Sequence, residues 1–369
     1  MKKQKIGLVF LGILLLLFAT GCGGKQITAH PEQQQTTVTN QASSSDKLKA
    51  QQESQNVSQS EENGKVENNA ASSTKNGGAK GNNSETRTSE SARLVVTHNY
   101  GGKVVFDQTV PLEKDANGLD FSAMYLDVET AYGGSFINGI NGTVSGYTGH
   151  GIHKIKKDWF LYVNGVLSSC GAGDYKLKKG DVVWWDYHDW GENAFTPVML
   201  GAFPRPFSHQ LEIVFSPAGE DYAQNLAQKL TARGLTGVEV KPFSDEVVFH
   251  RSNPVIIVGV WGELSEYGDI NSLNKNYRKA GIFCRFDSAG LRPVNTHFQE
   301  AGDIYTTASA CISATGTGAG DKNPLGLVIA YDEAGLDKAV KLLGDGGISP
   351  GNAWGLIIDS QGCHSLPVR

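Results

Sequence analysis

Asp158-Trp-Phe-Leu-Tyr-Val-Asn-Gly165, followed by Gly171-Ala-Gly-Asp-Tyr-Lys-Leu-Lys-Lys-Gly-Asp-Val-Val-Trp-Trp-Asp-Tyr187, is the stretch whose reading decides the fold. An aromatic strand runs into an Asn-Gly turn, a Tyr-x-Leu segment leads to Gly180-Asp181, and a second aromatic strand follows. Successive side chains of a strand point to opposite faces, so Val183, Trp185 and Tyr187 share one side while Val182, Trp184 and Asp186 share the other. Both sides carry an indole. If one face packs on a helix, the other presents a tryptophan where a polar residue ordinarily sits, which makes Trp184 the first candidate for a ligand contact. Packing against a neighbouring domain is the competing reading. By the same alternation Phe160, Tyr162 and Asn164 lie opposite Trp159, Leu161 and Val163, and the local pattern does not choose the core set.

Working outward, Leu94, Val96 and His98 alternate with Val95 and Thr97, and after Gly101-Gly102 the run Lys103 to Val110 reads as the second arm of a hairpin. Phe121 to Tyr132 is expected to form a short helix capped by Asp120 or Ser122, with an imperfect helical period. Between that helix and the aromatic strand lies a glycine-rich stretch, Tyr132 to His153, whose composition suits a loop that wraps a ligand. It carries Tyr147, His150 and His153. Two histidines without a nearby carboxylate or thiol make a weak metal signal, so no metal site is expected.

Trp159, Tyr162, Val163, Asn164, Gly165, Tyr175, Leu177, Gly180, Asp181, Val183 and Trp185 together resemble the transcobalamin-like C-terminal domain family, a small β-grasp-type module of exported bacterial proteins and animal cobalamin carriers. The resemblance covers about residues 93–190. It implies a ligand-binding role with cobalamin or another corrinoid as ligand, without covalent chemistry or a required cofactor. The helical barrel that faces the ligand in the carriers has no counterpart in the sequence preceding this module.

The first residues point to location. Lys2, Lys3 and Lys5 precede an apolar run from Ile6 to Phe18 and then Ala19-Thr20-Gly21-Cys22, the layout of a bacterial lipoprotein signal peptide over 1–21. The run is shorter than the roughly 20 residues that span a bilayer. Cys22 is the expected lipidation site, anchoring the protein at the extracytoplasmic face of the cell membrane. Residues 25–92 contain no aromatic residue and are dominated by polar side chains, so 22–92 is read as a disordered tether. A flexible chain of that length reaches roughly 45 to 50 Å. The net charge of the chain is −5, with no basic block beyond the leader, which argues against a nucleic-acid partner.

The remainder divides into a β-grasp-like module at 93–192, a proline-marked connector at 193–209, and a second domain at 210–369. In the second domain short apolar strands (211–215, 238–240, 254–260, 281–286, 325–330, 354–358) alternate with helices at 220–233 and 332–343, which predicts an α/β layered domain and an α+β chain overall. Cys170, Cys284, Cys311 and Cys363 are too scattered for a disulfide framework, and one bridge within the last domain or free buried thiols are both open. The Thr315–Lys322 segment, Thr-Gly-Thr-Gly-Ala-Gly-Asp-Lys, lacks the spacing of a phosphate loop. No nucleophile elbow or zinc-protease motif occurs, so a non-enzymatic role is expected. Two functions fit: a surface-tethered binding lipoprotein that captures a corrinoid for a membrane importer, and an adhesion or scaffold protein that binds wall polymer or a protein. For the first, the candidate contacts are Trp184, Tyr162, Trp159, Asn164, Tyr147, His150 and Ser168.

Overall fold

The hairpin that opens the folded region, β1 (Ser91–His98) with β2 (Lys103–Pro111), turns through Asn99, Tyr100 and Gly101, all at positive φ. The computed structural model describes residues 90–369 apart from 132–133, 135, 152–153, 192–194 and 347–351. The expected leader with Cys22, the tether up to residue 89 and His153 lie outside the described residues, while Ser91 and Ala92, expected to end the tether, instead belong to β1, where Ala92 is buried. The helix after the hairpin, α1 (Gly118–Tyr125), starts earlier than the periodicity predicts, because the Asn117 side chain accepts a hydrogen bond from the Asp120 N–H at 2.8 Å and serves as its cap. Leu126 is already extended, and the expected last turns are instead strand β3 (Val128–Ala131). The glycine-rich stretch folds into β4 (Phe136–Ile140) and β5 (Thr143–Val144), which join β3 in a small sheet, and β6 (Gly146–Thr148).

The decisive aromatic strands are β7 (Ile155–Val163) and β9 (Val182–Asp189), with a two-residue β8 (Val166–Leu167) folding back on β7. Asn164 at φ 53° and Gly165 at φ 83° form the turn. The sheet order is β2-β1-β9-β7-β6, with β1 and β9 parallel at its centre and the other neighbours antiparallel. A hairpin, a crossing helix and a parallel central pair are the β-grasp arrangement.

Beyond a connecting stretch the second lobe begins with β10 (Glu212–Phe215), α2 (Glu220–Ala232), β11 (Glu239–Pro242) and β12 (Val255–Val260). Three short helices follow, α3 (Trp261–Leu264), α4 (Gly268–Lys275) and α5 (Tyr277–Ala280), then the hairpin β13 (Cys284–Asp287) and β14 (Gly290–Pro293). The chain closes with β15 (Ala310–Thr315), β16 (Leu325–Ala330), α6 (Glu333–Gly344), β17 (Gly355–Ile358) and β18 (Cys363–Leu366). The sheet order is β11-β10-β12-β16-β15-β17-β18, parallel over the first four strands and antiparallel thereafter. Helix α2 presents Ala223, Leu226 and Leu230, and α6 presents Leu336, Ala339 and Leu343, to one apolar cluster on one side of this sheet. The chain is therefore α+β, with its α/β part layered as its strand and helix alternation predicts.

Both faces of the first sheet are covered, which corrects the expectation for Trp184. Val183, Trp185 and Tyr187 pack with Phe121 of α1, and the Trp185 indole donates to Ser122 Oγ at 3.0 Å. The opposite face, with Val182, Trp184, Phe160 and Tyr162, shares one hydrophobic cluster with Met199, Ala202, Phe283 and Trp354. Trp184 and Tyr162 are fully buried, and the Tyr162 hydroxyl donates to the Thr196 carbonyl at 2.9 Å. An indole on each face thus reflects a sheet sandwiched between a helix and a second lobe. The connector takes part in the packing: Val198, Met199, Leu200 and Phe207 are all buried. At Gly101, whose φ is 78°, an added Cβ would lie 2.0 Å from the Asn352 carbonyl oxygen, so only glycine admits this approach of the lobes.

Cys284 and Cys311 form a disulfide that fastens β13 to β15, leaving Cys170 and Cys363 free among the described residues. It closes a loop spanning a sequence separation of 27 residues. Replacing both cysteines with serine is expected to lower stability by about 2–4 kcal/mol. Urea unfolding of the oxidised parent against the double variant measures it.

Candidate functional site

β7 is paired on its outer side only at its two ends, by β6 over Ile155–Lys157 and by β8 over Tyr162–Val163. Between them, from Asp158 to Leu161, no strand covers that edge among the described residues. A hollow of about 440 Å³ opens along the gap, within the size range of small-molecule sites. Its wall includes Trp159, Phe160, Leu161 and Leu167, with Ile137 and Phe136 from β4 and Trp190 and Phe195 from beyond β9.

The rim is the unusual part. Phe195 is 56% exposed, Trp190 43% and Phe136 40%, an aromatic surface left facing solvent at the mouth of a concavity. Trp190 and Phe195 meet edge to face with centroids 5.2 Å apart, and each lies within 6 Å of Phe160, at 5.9 and 5.6 Å. The Trp190 indole is held by donation to Asp158 Oδ2 at 3.1 Å, and the Lys156 ammonium lies 4.0 Å from its ring centroid. Asp158 is buried and also accepts from Ser145 Oγ at 2.5 Å and from the Trp159 N–H at 2.9 Å. The aromatic wall is thus fixed before any ligand arrives, which spares the entropy of ordering it on binding.

The loop after β8 supplies the polar side. Ser168 donates its backbone N–H to the Leu161 carbonyl at 2.9 Å, and its hydroxyl bonds the Cys170 carbonyl at 2.8 Å. Ser168, Ser169 and Cys170 form a ridge between this hollow and a second one of about 430 Å³, bounded by Asn164, Tyr175, Arg205 and Lys322. The Tyr175 hydroxyl titrates above its ordinary range because it is partly buried, with Asp181 adding to the effect.

The sequence candidates separate accordingly. Trp159 and Ser168 line the aromatic hollow. Trp184 and Tyr162 do not, being buried at the lobe interface. Asn164 borders the second hollow, but its side chain is committed to the fold, donating to Asp181 Oδ1 and accepting from the Val182 N–H, each at 2.9 Å. Tyr147, 71% exposed, and His150 stand on the β6 side and line neither hollow. Trp190, Phe195 and Phe136 are the residues that sequence reasoning missed. For Trp190 and Phe195 the signal was aromatics continuing past the end of the decisive strand, whereas Phe136 was hidden in the glycine-rich stretch that was read as a loop. Among the described residues there is no cluster of three or more potential metal ligands, and no helix is long and apolar enough to cross a membrane.

A family model described as a domain of unknown function (DUF4430) matches residues 119–189, the span from α1 to β9 that builds most of this hollow. No curated protein matches the chain.

Proposed function

We propose that the protein is a lipid-tethered, extracytoplasmic binding protein that captures a small ring-bearing, amide-bearing ligand at the β7 gap, with a corrinoid as the leading ligand class. The observation that carries this reading is the solvent-facing aromatic rim of Phe195, Trp190 and Phe136 over an unpaired strand edge. Aromatic faces suit the flat portion of a ring system, and the part of the strand edge not already used by the Ser168 N–H on the Leu161 carbonyl and by Asp158 on the Trp159 N–H would meet its amides. A corrinoid is larger than the hollow, so one edge of it would be gripped while the rest stays accessible to an importer. The corrinoid assignment rests on the transcobalamin resemblance, and the membrane location on the Lys-rich, apolar leader ending in Cys22. Binding of this kind needs no resident cofactor and no catalytic residue.

Titration of the protein with cobalamin and with its precursor cobinamide, followed by tryptophan fluorescence, tests the reading. Saturable quenching is expected. Phe195→Ala and Trp190→Ala should each weaken it about tenfold, as removal of an aromatic anchor does, whereas Tyr147→Ala should leave it unchanged. Absence of quenching together with retention on isolated wall material would select the adhesion role instead. Incorporation of labelled palmitate that disappears in Cys22→Ser is the expected result for the anchor.

A further inference from the structure

We propose a second binding site, for an acidic saccharide, in the groove at the carboxyl ends of strands β12 and β16. This goes beyond the hollow of the first lobe and does not rest on its being occupied. The chain leaves β12 directly into Trp261 and leaves β16 directly into Tyr331, and both rings line a groove of about 860 Å³ bounded opposite by α4 and β13. Neighbouring β10 and β12 send their connections in opposite directions along the sheet, to β11 on one side and towards β16 on the other. Ligands of open parallel sheets collect outside the carboxyl ends of the strands near such a reversal.

The chemistry of the lining selects the class. Trp261 is stacked on Phe286 with centroids 5.1 Å apart and planes at 19°, so its orientation is fixed, and Tyr331 is 40% exposed. Rigid aromatic faces suit the C–H face of a pyranose, whose hydroxyl and acetamido groups then require polar side chains around the rim. On α4, Lys275 and the side-chain oxygen of Asn271, whose amide nitrogen already donates to the Ser265 carbonyl at 3.2 Å, are placed to supply them. Of the charged groups in the lining, Arg285 and Asp287 belong to a charge-balanced network with Glu300 and Arg292, in which Arg285 meets Glu300 and Asp287, and Arg292 meets Asp287 and Glu300. Lys275, by contrast, is exposed and has no hydrogen-bond or ion-pair partner among the described residues. The uncompensated charge is a cation, which favours a sugar carrying a carboxylate or phosphate. A nucleotide is disfavoured at the neighbouring loop that leads into α2. There the Ala218 N–H already bonds both oxygens of the Glu263 carboxylate, at 3.0 and 3.2 Å, where a phosphate would have to sit.

Calorimetric titration of the full-length chain in detergent with the disaccharide N-acetylglucosaminyl-N-acetylmuramic acid, and with neutral N,N′-diacetylchitobiose, tests the assignment. Both should bind, the acidic sugar more tightly. Tyr331→Ala, at an exposed position that spares the fold, should weaken both about tenfold. Lys275→Ala should abolish the preference for the acidic sugar and leave the neutral one unchanged. Phe195→Ala should alter neither, which separates this site from the first-lobe hollow. Failure of both disaccharides to bind, parental binding by Tyr331→Ala, or binding of AMP in place of the sugars would overturn the proposal.

Discussion

Replacing Asp186 with alanine is expected to cost the folded state about 3–5 kcal/mol, the range for breaking a buried charge network by removing one member. Asp186 is fully buried on the face of β9 that meets the second lobe. Its Oδ2 accepts from Thr97 Oγ1 at 2.5 Å and from the Gly101 N–H at 2.9 Å; its Oδ1 accepts from the Tyr100 N–H at 2.9 Å and meets His188 Nδ1 at 2.7 Å. Without the carboxylate, the donors of the β1–β2 turn lose their acceptor in a site that water does not reach, and each such loss costs about 1–3 kcal/mol. The damage extends to packing, because the His188 ring lies between Phe160, stacked at 4.0 Å, and Tyr100, stacked at 4.3 Å, and Trp354 of the second lobe meets Tyr100 edge-on at 5.0 Å.

The pH dependence has a definite sign. Burial by itself raises the affinity of Asp186 for a proton, but the bond and charge of His188, the Thr97 hydroxyl and the Gly101 N–H outweigh it and hold the carboxyl below its ordinary value of 3.8. A group depressed in the folded state contributes stability that is complete above its unfolded value and is lost as pH falls through the folded one. The parent should therefore lose stability below about pH 4, and Asp186→Ala should lose less over the same interval. Urea unfolding monitored by circular dichroism at pH 7 and at pH 3 measures both effects. A loss under about 1 kcal/mol at pH 7 would show that the lobes hold without this network.

Elements whose apolar residues follow a regular period were legible from sequence. Helix α6 and strand β16 fall within a residue of expectation, since Asp332 caps α6 by accepting from the Gly335 N–H at 2.9 Å and Leu325–Ala330 is a continuous apolar run. Strand β15 was not legible. Ala310-Cys-Ile-Ser-Ala-Thr315 is buried throughout, yet its side chains are mostly small, so its burial reflects the crowding of a central strand between β16 and β17 and gives little hydropathy signal. Helices α3 to α5 escaped for a different reason: each is short, and Asn and Lys break the pattern of α4.

The site was half legible. Alternation along β9 correctly placed Trp184 and Trp185 on opposite faces but could not say which neighbour each face would meet, because that is decided by Trp354 and Phe283, more than ninety residues away in sequence. Trp159 was singled out and does line the hollow. The gap in pairing along β7, which gives the hollow its polar edge, depends on where β6 and β8 stop, and neither short strand announces its ends in sequence.

Trp184→Ala is expected to lower stability by about 3–5 kcal/mol and to leave ligand affinity at the β7 gap unchanged. The indole is fully buried, donates to Thr97 Oγ1 at 2.7 Å, and is tied through that hydroxyl to Asp186. Its far edge is met by Gly201 of the connector, where an added Cβ would lie 2.6 Å from Cη2 and 2.8 Å from Cζ3. That contact makes the lobe interface testable by a double-mutant cycle. Gly201→Ala alone forces a methyl group into the ring and should destabilise by about 1–3 kcal/mol. In the Trp184→Ala background the ring contacts vanish, and the nearest remaining obstacle is the Ala353 carbonyl oxygen at 3.1 Å. The same methyl then enters a vacated space and recovers part of the buried contact, so the two substitutions should couple favourably by about 1–3 kcal/mol. Strictly additive effects would mean that the indole and the connector do not touch in solution. A loss of ligand affinity with stability intact would return Trp184 to the binding surface.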